Sequence, residues 1–338
     1  MDASVRSILY LKFVLGLFDD PYRYMDVERQ EQTLFSQPHR DAARELCRKS
    51  MVLLENKDQT LPLSPSTANI ALIGPLADNS KEMLGNWFGA GNGDKAVSVL
   101  AGMKSVFKGN INYAKGCEVI GGDKVGFEEA VNVAQKSDVI VAVVGEAGWM
   151  SGEAASRSEI TIPGLQLDLL KELKATGKPL VVVLINGRPL ELEWVAENAD
   201  AVLEAWFPGT EAGHAIADVL SGAYNPSAKL TVTFPRKLGQ VPIFYSMKNT
   251  GRPFDRNSRY TSKYIDVENT PQYPFGYGLS YTRFKYSDFQ ISSKEMDMDD
   301  EITISAKVKN TGEYAGTETV QLYIRDKVGS VTRPVREL

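Results

Sequence analysis

An α/β fold, doubly wound around a mainly parallel sheet and followed by the opening strands of a β-sandwich, is what this sequence predicts, and three observations carry it. Four runs, "NIALIG" (69–74), "DVIVAVVG" (138–145), "PLVVVLIN" (179–186) and "DAVLEAW" (200–206), are apolar at successive positions, as strands covered on both faces must be. Helical patterns alternate with them, which is the signature of a parallel sheet with crossover helices. Beyond residue 284 the pattern changes to two-residue alternation in "FKYSDFQIS", "EITISAKVKN" and "ETVQLYIRD", which predicts antiparallel strands of a β-sandwich.

In chain order, the first segment is helical, with Val5, Ile8, Leu9, Lys12 and Phe13 at helical spacing and Gly16 and Pro21 as stop signals. "SILYLKFVLGLF" is too short to span a membrane, contains Lys12 and lacks a signal-peptide cleavage pattern, so it reads as a buried amphipathic helix. A second helix is expected over 37–56, with Ala42, Ala43, Leu46, Ser50, Leu53 and Leu54 on its core face. Residues 1–60 are thus a helical lead-in and 61–245 the α/β domain. Within the latter, Phe127, Ala130, Val131 and Ala134 mark one helix. Leu165, Leu169, Leu170 and Leu173 mark another, between Pro163 and Gly177. Ala212, Ile216, Val219 and Leu220 mark a third, with Thr210 as its N-cap. Residues 246–283 carry too many aromatics for a flexible linker and should lie packed. Residues 284–338 supply too few strands to close a sandwich, and the first helix has no layer to sit on, so the chain is expected to be a piece of a larger protein.

Several function classes are excluded. The formal charge of −5 over 338 residues and the lack of a basic stripe argue against nucleic acid as a partner. Two cysteines, Cys47 and Cys117, and two histidines, His39 and His214, are too few for a disulfide framework or a multi-histidine metal centre. No G-x-x-x-x-G-K-[ST], G-x-S-x-G or H-E-x-x-H occurs, and the glycines of "GAGNGD" are misplaced for a dinucleotide fingerprint. No metal or cofactor is expected.

Ligands of open parallel sheets bind at the carboxyl ends of the strands. Four connections leave those ends here: 84–94, 145–163, 186–189 and 205–214. The second, "GEAGWMSGEAASRSEITIP", is about three times the usual length, and such loops in compact domains are usually functional. It holds three acids. Glu146, at the strand terminus, suits hydrogen bonding to neighbouring loops. Glu159 suits a helix-dipole contact at the next helix start. Glu153, mid-loop among small residues, has the reach to act outside its own domain, with Trp149 as an apolar neighbour able to raise its pKa. On spacing alone, an ion pair from Glu153 to Arg157 is an equal alternative. Trp87 and Phe88, like Trp206 and Phe207, read either as core caps or as rings that stack on sugar faces, while groups such as Arg157 read hydroxyls.

The motifs "SMVLLEN", "ALIGPLAD", "SGEAASRSEITIP", "PLVVVLINGRPL", "GTEAGHAIADVLSGAYNPSAKLTVTFP" and "YPFGYGLSYTRF", in this order, resemble glycoside hydrolase family 3 β-glucosidases of the bacterial periplasmic type. The resemblance implies an enzyme with an amino-terminal (β/α)8 barrel holding a nucleophilic aspartate, an α/β sandwich lending the acid/base, and a fibronectin type III-like domain. Matched motif to motif, it makes Glu153 the acid/base of a retaining hydrolase. It matches residues 1–18 to the last barrel helix, and implies a periplasmic or secreted location. A β-linked gluco-oligosaccharide or β-glucoside is the implied substrate and the barrel the implied partner; β-xylosidase or β-glucosaminidase activity, or a non-catalytic sugar-binding role for the isolated chain, are the alternatives.

Overall fold

The structure is a computed structural model that describes residues 2–297 and 299–338. Two compact units are distinguished, residues 1–43 and 44–338. In the first, helix α1 (Asp2–Val14) is followed by Gly16 at φ +68°, and α2 (Val27–Thr33) is capped by Asp26, whose carboxylate accepts from the Arg29 amide at 2.9 Å. The helix over residues 2–14 forms as its spacing predicts, but its apolar face is not buried. Val5, Ile8, Leu9 and Phe13 are all exposed, because a unit of this size has no second layer to cover them.

Helix α3 (Gln37–Ser50) stops before the expected end. Residues 52–56 are instead the strand β1 (Val52–Asn56). "VLLEN" continues the apolar character of the helix, which hid the change of period. Leu53 enters one core and its neighbours Val52 and Leu54 the other, an alternation only a strand can produce. Leu46, placed on the core face by the helical reading, is exposed. The sheet therefore begins at Val52, earlier than the boundary at residue 61.

The remaining elements follow as β2 (Asn69–Ile73), α4 (Val99–Val106), β3 (Asn110–Ala114), α5 (Phe127–Gln135), β4 (Val139–Gly145), α6 (Gln166–Ala175), β5 (Leu180–Ile185), α7 (Glu193–Asn198), β6 (Ala201–Glu204) and α8 (Ala212–Ser221). The sheet order is β1-β6-β5-β4-β2-β3, parallel throughout except for β1, which pairs antiparallel with β6. Side chains alternate between two cores. Val139, Val141 and Val143 of β4 face α4 and α8, whereas Ile140, Ala142 and Val144 face α5, α6 and α7. Helices on both faces explain why the strands read as unbroken apolar runs. Chain order reverses between β2 and β4, so the carboxyl ends of these two strands form the topological switch point of the sheet.

One helix start differs from its sequence reading, and the start of α4 had none. The residue before α8 is Glu211, which makes no side-chain cap, so Thr210 is not the N-cap. α4 is capped by Ser98, whose Oγ accepts from the Ala101 amide at 3.2 Å.

The aromatic-rich segment covers the free edge of β1. The Leu279 amide donates to Leu53 O at 2.8 Å, the Tyr277 hydroxyl to Leu54 O at 3.0 Å and the Tyr273 hydroxyl to Glu55 at 2.9 Å. An edge strand is thereby closed to further pairing. Farther on, β7 (Phe284–Ile291) and β8 (Ile304–Asn310) form a two-stranded antiparallel sheet. "ETVQLYIRD" forms no strand; only a single bridge, Ile324 to Glu337, is present there.

Candidate functional site

Loops from β2, β4, β5 and β6 converge at the carboxyl edge of the sheet. The contact is close enough to demand glycine at two positions. At Gly152, φ is +103°, and a Cβ there would stand 2.3 Å from Asn86 Nδ2 and 3.1 Å from Trp87 Nε1. At Gly187 a Cβ would stand 2.2 Å from Ser151 Oγ and 2.8 Å from Phe207 Cε2. The long loop after β4 is thus seated against the β2 loop, at the switch point.

That loop is built in tiers. At its base the buried Gln166 side chain joins both ends: its Oε1 accepts from the Gly145 amide at 2.8 Å, and its Nε2 donates to Gly145 O at 2.8 Å and Pro163 O at 3.0 Å. Above it lies Glu146, fully buried and paired with two guanidinium groups. Arg157 Nη1 donates to Glu146 Oε1 at 2.6 Å, Arg188 Nε lies 2.9 Å from the same oxygen, and Glu146 Oε2 accepts from the Gly187 amide at 3.3 Å. Burying a carboxylate costs stability unless it is paired and hydrogen-bonded in this way. The hydrogen-bonding role expected of Glu146 is what the structure shows.

Arg157 therefore does not pair with Glu153. Its second nitrogen donates to Thr161 O at 3.1 Å, so both ends of its guanidinium are committed within the loop. The helical i to i+4 spacing that suggested the pair has no meaning here, since residues 151–160 are not helical. Glu159 does not start a helix either. α6 begins at Gln166 with Asp168 in its first turn, and Glu159 lies exposed on the return limb, where the Glu191 amide donates to Ile160 O at 2.8 Å.

Glu153 is the tip. It sits in a turn between Gly152 and Ala154, which has φ +58°, and it is exposed, with no hydrogen bond or ion pair to any described residue. This loop and the β2 loop present three bare rings, of which Trp87 lies against the neighbouring Gly152: Trp87 is 73% exposed, Trp149 64% and Phe88 49%. Phe207 instead packs on the core between the sheet and α8, and Trp206 on the opposite core, 5.9 Å from the Phe234 ring. Of the aromatics singled out from sequence, one pair caps the core and the other lies open.

The residue that spacing did not single out is Arg188, whose Nη2 donates to Met150 O and, at 2.8 Å, to Ala155 O. Beneath it, Asn186 Nδ2 donates to Arg188 O at 2.9 Å and contacts Glu204 Oε2 at 3.1 Å. Complete burial pushes the Glu204 carboxyl up to about 8, against the pull of hydrogen bonds from the Trp206 amide and Asn186. Neither cysteine offers a nucleophile: both are buried, and burial raises the thiols to about 12 at Cys47 and about 11 at Cys117. His214 Nδ1 is paired with Glu211 at 2.6 Å on α8. No group of three or more metal-ligating side chains occurs among the described residues.

Comparison with known proteins agrees with this architecture. Residues 51–281 match the glycosyl hydrolase family 3 C-terminal domain, a span that contains the whole six-stranded sheet and the strap over its edge. The chain belongs to glycoside hydrolase family 3. It is 46% identical, over its full length, to a periplasmic β-glucosidase of Salmonella typhimurium and 40% identical to a β-xylosidase of Formosa agariphila, covering 48% and 47% of those proteins. A β-glucosidase from Listeria innocua, solved with isofagomine, superimposes with a TM-score of 0.91 at 41% identity over 97% of this chain and 46% of that one. A mutant of the same protein was solved with laminaribiose. The chain thus spans about half the length of the relatives it matches.

Proposed function

We propose that this chain supplies the general acid/base of a retaining β-glucosidase, and that Glu153 is that group. The observation that carries it is the contrast within one loop: of its three acids, only Glu153 combines an open carboxylate with a seat at the switch point, beside Trp87 and Trp149. Those rings and Phe88 form the stacking platform for the leaving sugar or aglycone. Arg157, assigned to substrate binding from sequence, has its guanidinium engaged by Glu146 and Thr161 and acts as part of the loop's frame.

The chemistry is a double displacement. In the first step the carboxylic proton of Glu153 passes to the glycosidic oxygen as its bond to the anomeric carbon breaks. An aspartate carboxylate, expected by family likeness on an amino-terminal barrel, forms the new bond to that carbon. In the second step the Glu153 carboxylate takes a proton from water, the water oxygen bonds to the anomeric carbon, and the bond to aspartate breaks. Glu153 ends protonated, as it began.

In the complete enzyme, Glu153→Ala should lower kcat/KM about 10²–10⁴-fold on methyl β-glucoside and far less on 2,4-dinitrophenyl β-glucoside, because a good leaving group needs no proton. Equal losses on both substrates would contradict the acid role. The 338-residue chain alone is expected to hydrolyse no aryl β-glucoside, and turnover abolished by Glu153→Ala would relocate the nucleophile into it. The relative named a β-xylosidase makes 4-nitrophenyl β-xyloside the necessary companion substrate in these assays. A periplasmic or secreted location accords with the Salmonella relative, and β7–β8 with the start of a fibronectin type III-like domain. Among the described residues no helix is long and apolar enough to cross a membrane.

A further inference from the structure

We propose that Arg188 positions the acid/base: its guanidinium, held by Glu146, tethers Met150 O and Ala155 O, the two carbonyls that bracket the turn carrying Glu153. The proposal rests on the reading of Glu153 given above.

The turn needs a tether. Gly152 and Ala154 both have positive φ, and the alanine is held there against a cost of about 1–2 kcal/mol. Glu153 makes no hydrogen bond or ion pair to any described residue, so its carboxylate is only as well placed as the backbone on either side. Proton transfer is sensitive to displacements of about 1 Å, which a free loop tip of this kind exceeds. Arg188 supplies what the turn lacks. Nη2 reaches both sides of the turn, while Nε stands 2.9 Å from a Glu146 oxygen as an ion pair that is not a hydrogen bond, a division of labour that the planar guanidinium allows and a lysine ammonium does not.

Its own support is rigid. Glu146 continues from β4 and Asn186 from β5, and Glu204 ends β6. Glu146 Oε2 accepts from the Gly187 amide, and Asn186 Nδ2 donates to Arg188 O while contacting Glu204. The path from the buried sheet to the acid is therefore continuous: Glu204 and Asn186 hold the backbone of Arg188, Glu146 holds its side chain, and Arg188 holds the turn. This explains the burial of so polar a cluster under a loop whose tip is open.

The test uses the complete enzyme. Arg188→Met should reduce kcat/KM on methyl β-glucoside at least about tenfold more than on 2,4-dinitrophenyl β-glucoside, with the change in kcat. In a Glu153→Ala background the same substitution should cost no more than about twofold, because a residue that acts through Glu153 has nothing left to act on. Amide exchange over residues 150–156 should rise several-fold in Arg188→Met and stay unchanged in Glu153→Ala. Arg188→Lys, which keeps a positive charge beside Glu146, should fold yet retain the leaving-group-dependent loss, and it carries the same measurements should the methionine variant not fold. Equal losses on the two substrates, an undiminished effect in the Glu153→Ala background, or unchanged exchange would each overturn the tether. Failure of the underlying reading is told apart without Arg188: a Glu153→Ala loss that ignores the leaving group removes the acid, and this role with it.

Discussion

The base and the tip of one loop treat a glutamate in opposite ways. Glu146 is buried, paired with two arginines and bonded to a backbone amide, and each of its oxygens is in use. Glu153 is open, without a hydrogen bond or ion pair to any described residue, in a turn between two residues of positive φ. The same side chain is a keystone in one place and an open carboxylate in the other, and what separates them is the distance from the sheet. Next to a strand terminus, neighbouring loops crowd in with donors; at the far point of the loop, close backbone packing by Gly152 leaves the adjacent carboxylate facing outward.

Removing each carboxylate is the strongest way to break the comparison. Glu146→Ala leaves two largely buried guanidinium groups without their counter-charge and should destabilise the fold by about 3–5 kcal/mol. Glu153→Ala removes an exposed side chain that makes no hydrogen bond or ion pair to any described residue, and should stay within about 0.5 kcal/mol of the parent. Urea titrations of both variants check this; similar losses would mean that the tip bears structure after all.

A smaller effect tests the tier beneath. Glu204 titrates near 8 in the folded chain against 4.5 as its ordinary value, chiefly because burial disfavours its charge. Across that window the folded state keeps a proton that the unfolded chain has released. Stability from this group is therefore complete below about pH 4.5, falls as the pH rises, and levels off above about 8. The slope is at most about 1.4 kcal/mol per pH unit, so between about pH 6 and 8 the loss stays under roughly 3 kcal/mol. Glu204→Gln cannot ionise and should flatten the slope. Melting temperatures of the two proteins that ran parallel from pH 6 to 8 would show that Glu204 titrates normally.

How far the sequence reached follows the same physics. β2, β4, β5 and β6 were legible because strands buried on both faces leave continuous apolar runs. β3, "NINYA", was missed because an edge strand needs no such run, and β1 because "VLLEN" follows a helix without a break. Ser98 caps α4 with a residue type that sequence alone marks as a helix start. At the site, the hydrogen-bonding place of Glu146 was legible from its position at a strand end, whereas spacing leaves Trp87 and Phe88 between core caps and open rings, and leaves Glu153 open between an ion pair to Arg157 and a reach outside its domain. Arg188 could not be found in this way, since its carbonyl partners lie 38 and 33 residues earlier in the chain. Nor could the partner of Arg157, because loop geometry and not helical spacing decides it.

The smallest effect concerns the rings at the tip. Trp149 is largely exposed and belongs to neither core, so Trp149→Ala should change unfolding free energy by no more than about 0.5 kcal/mol. If the ring stacks on the leaving group, its removal costs about 0.5–1.5 kcal/mol of binding, which is roughly two- to twelvefold in KM for laminaribiose, with little change in kcat. Trp206→Ala provides the contrast, since that ring packs against Phe234 and its loss should appear in stability. A Trp149→Ala enzyme that is destabilised as much as Trp206→Ala, with KM unchanged, would turn the open aromatic platform into a part of the fold and leave Glu153 alone at the tip.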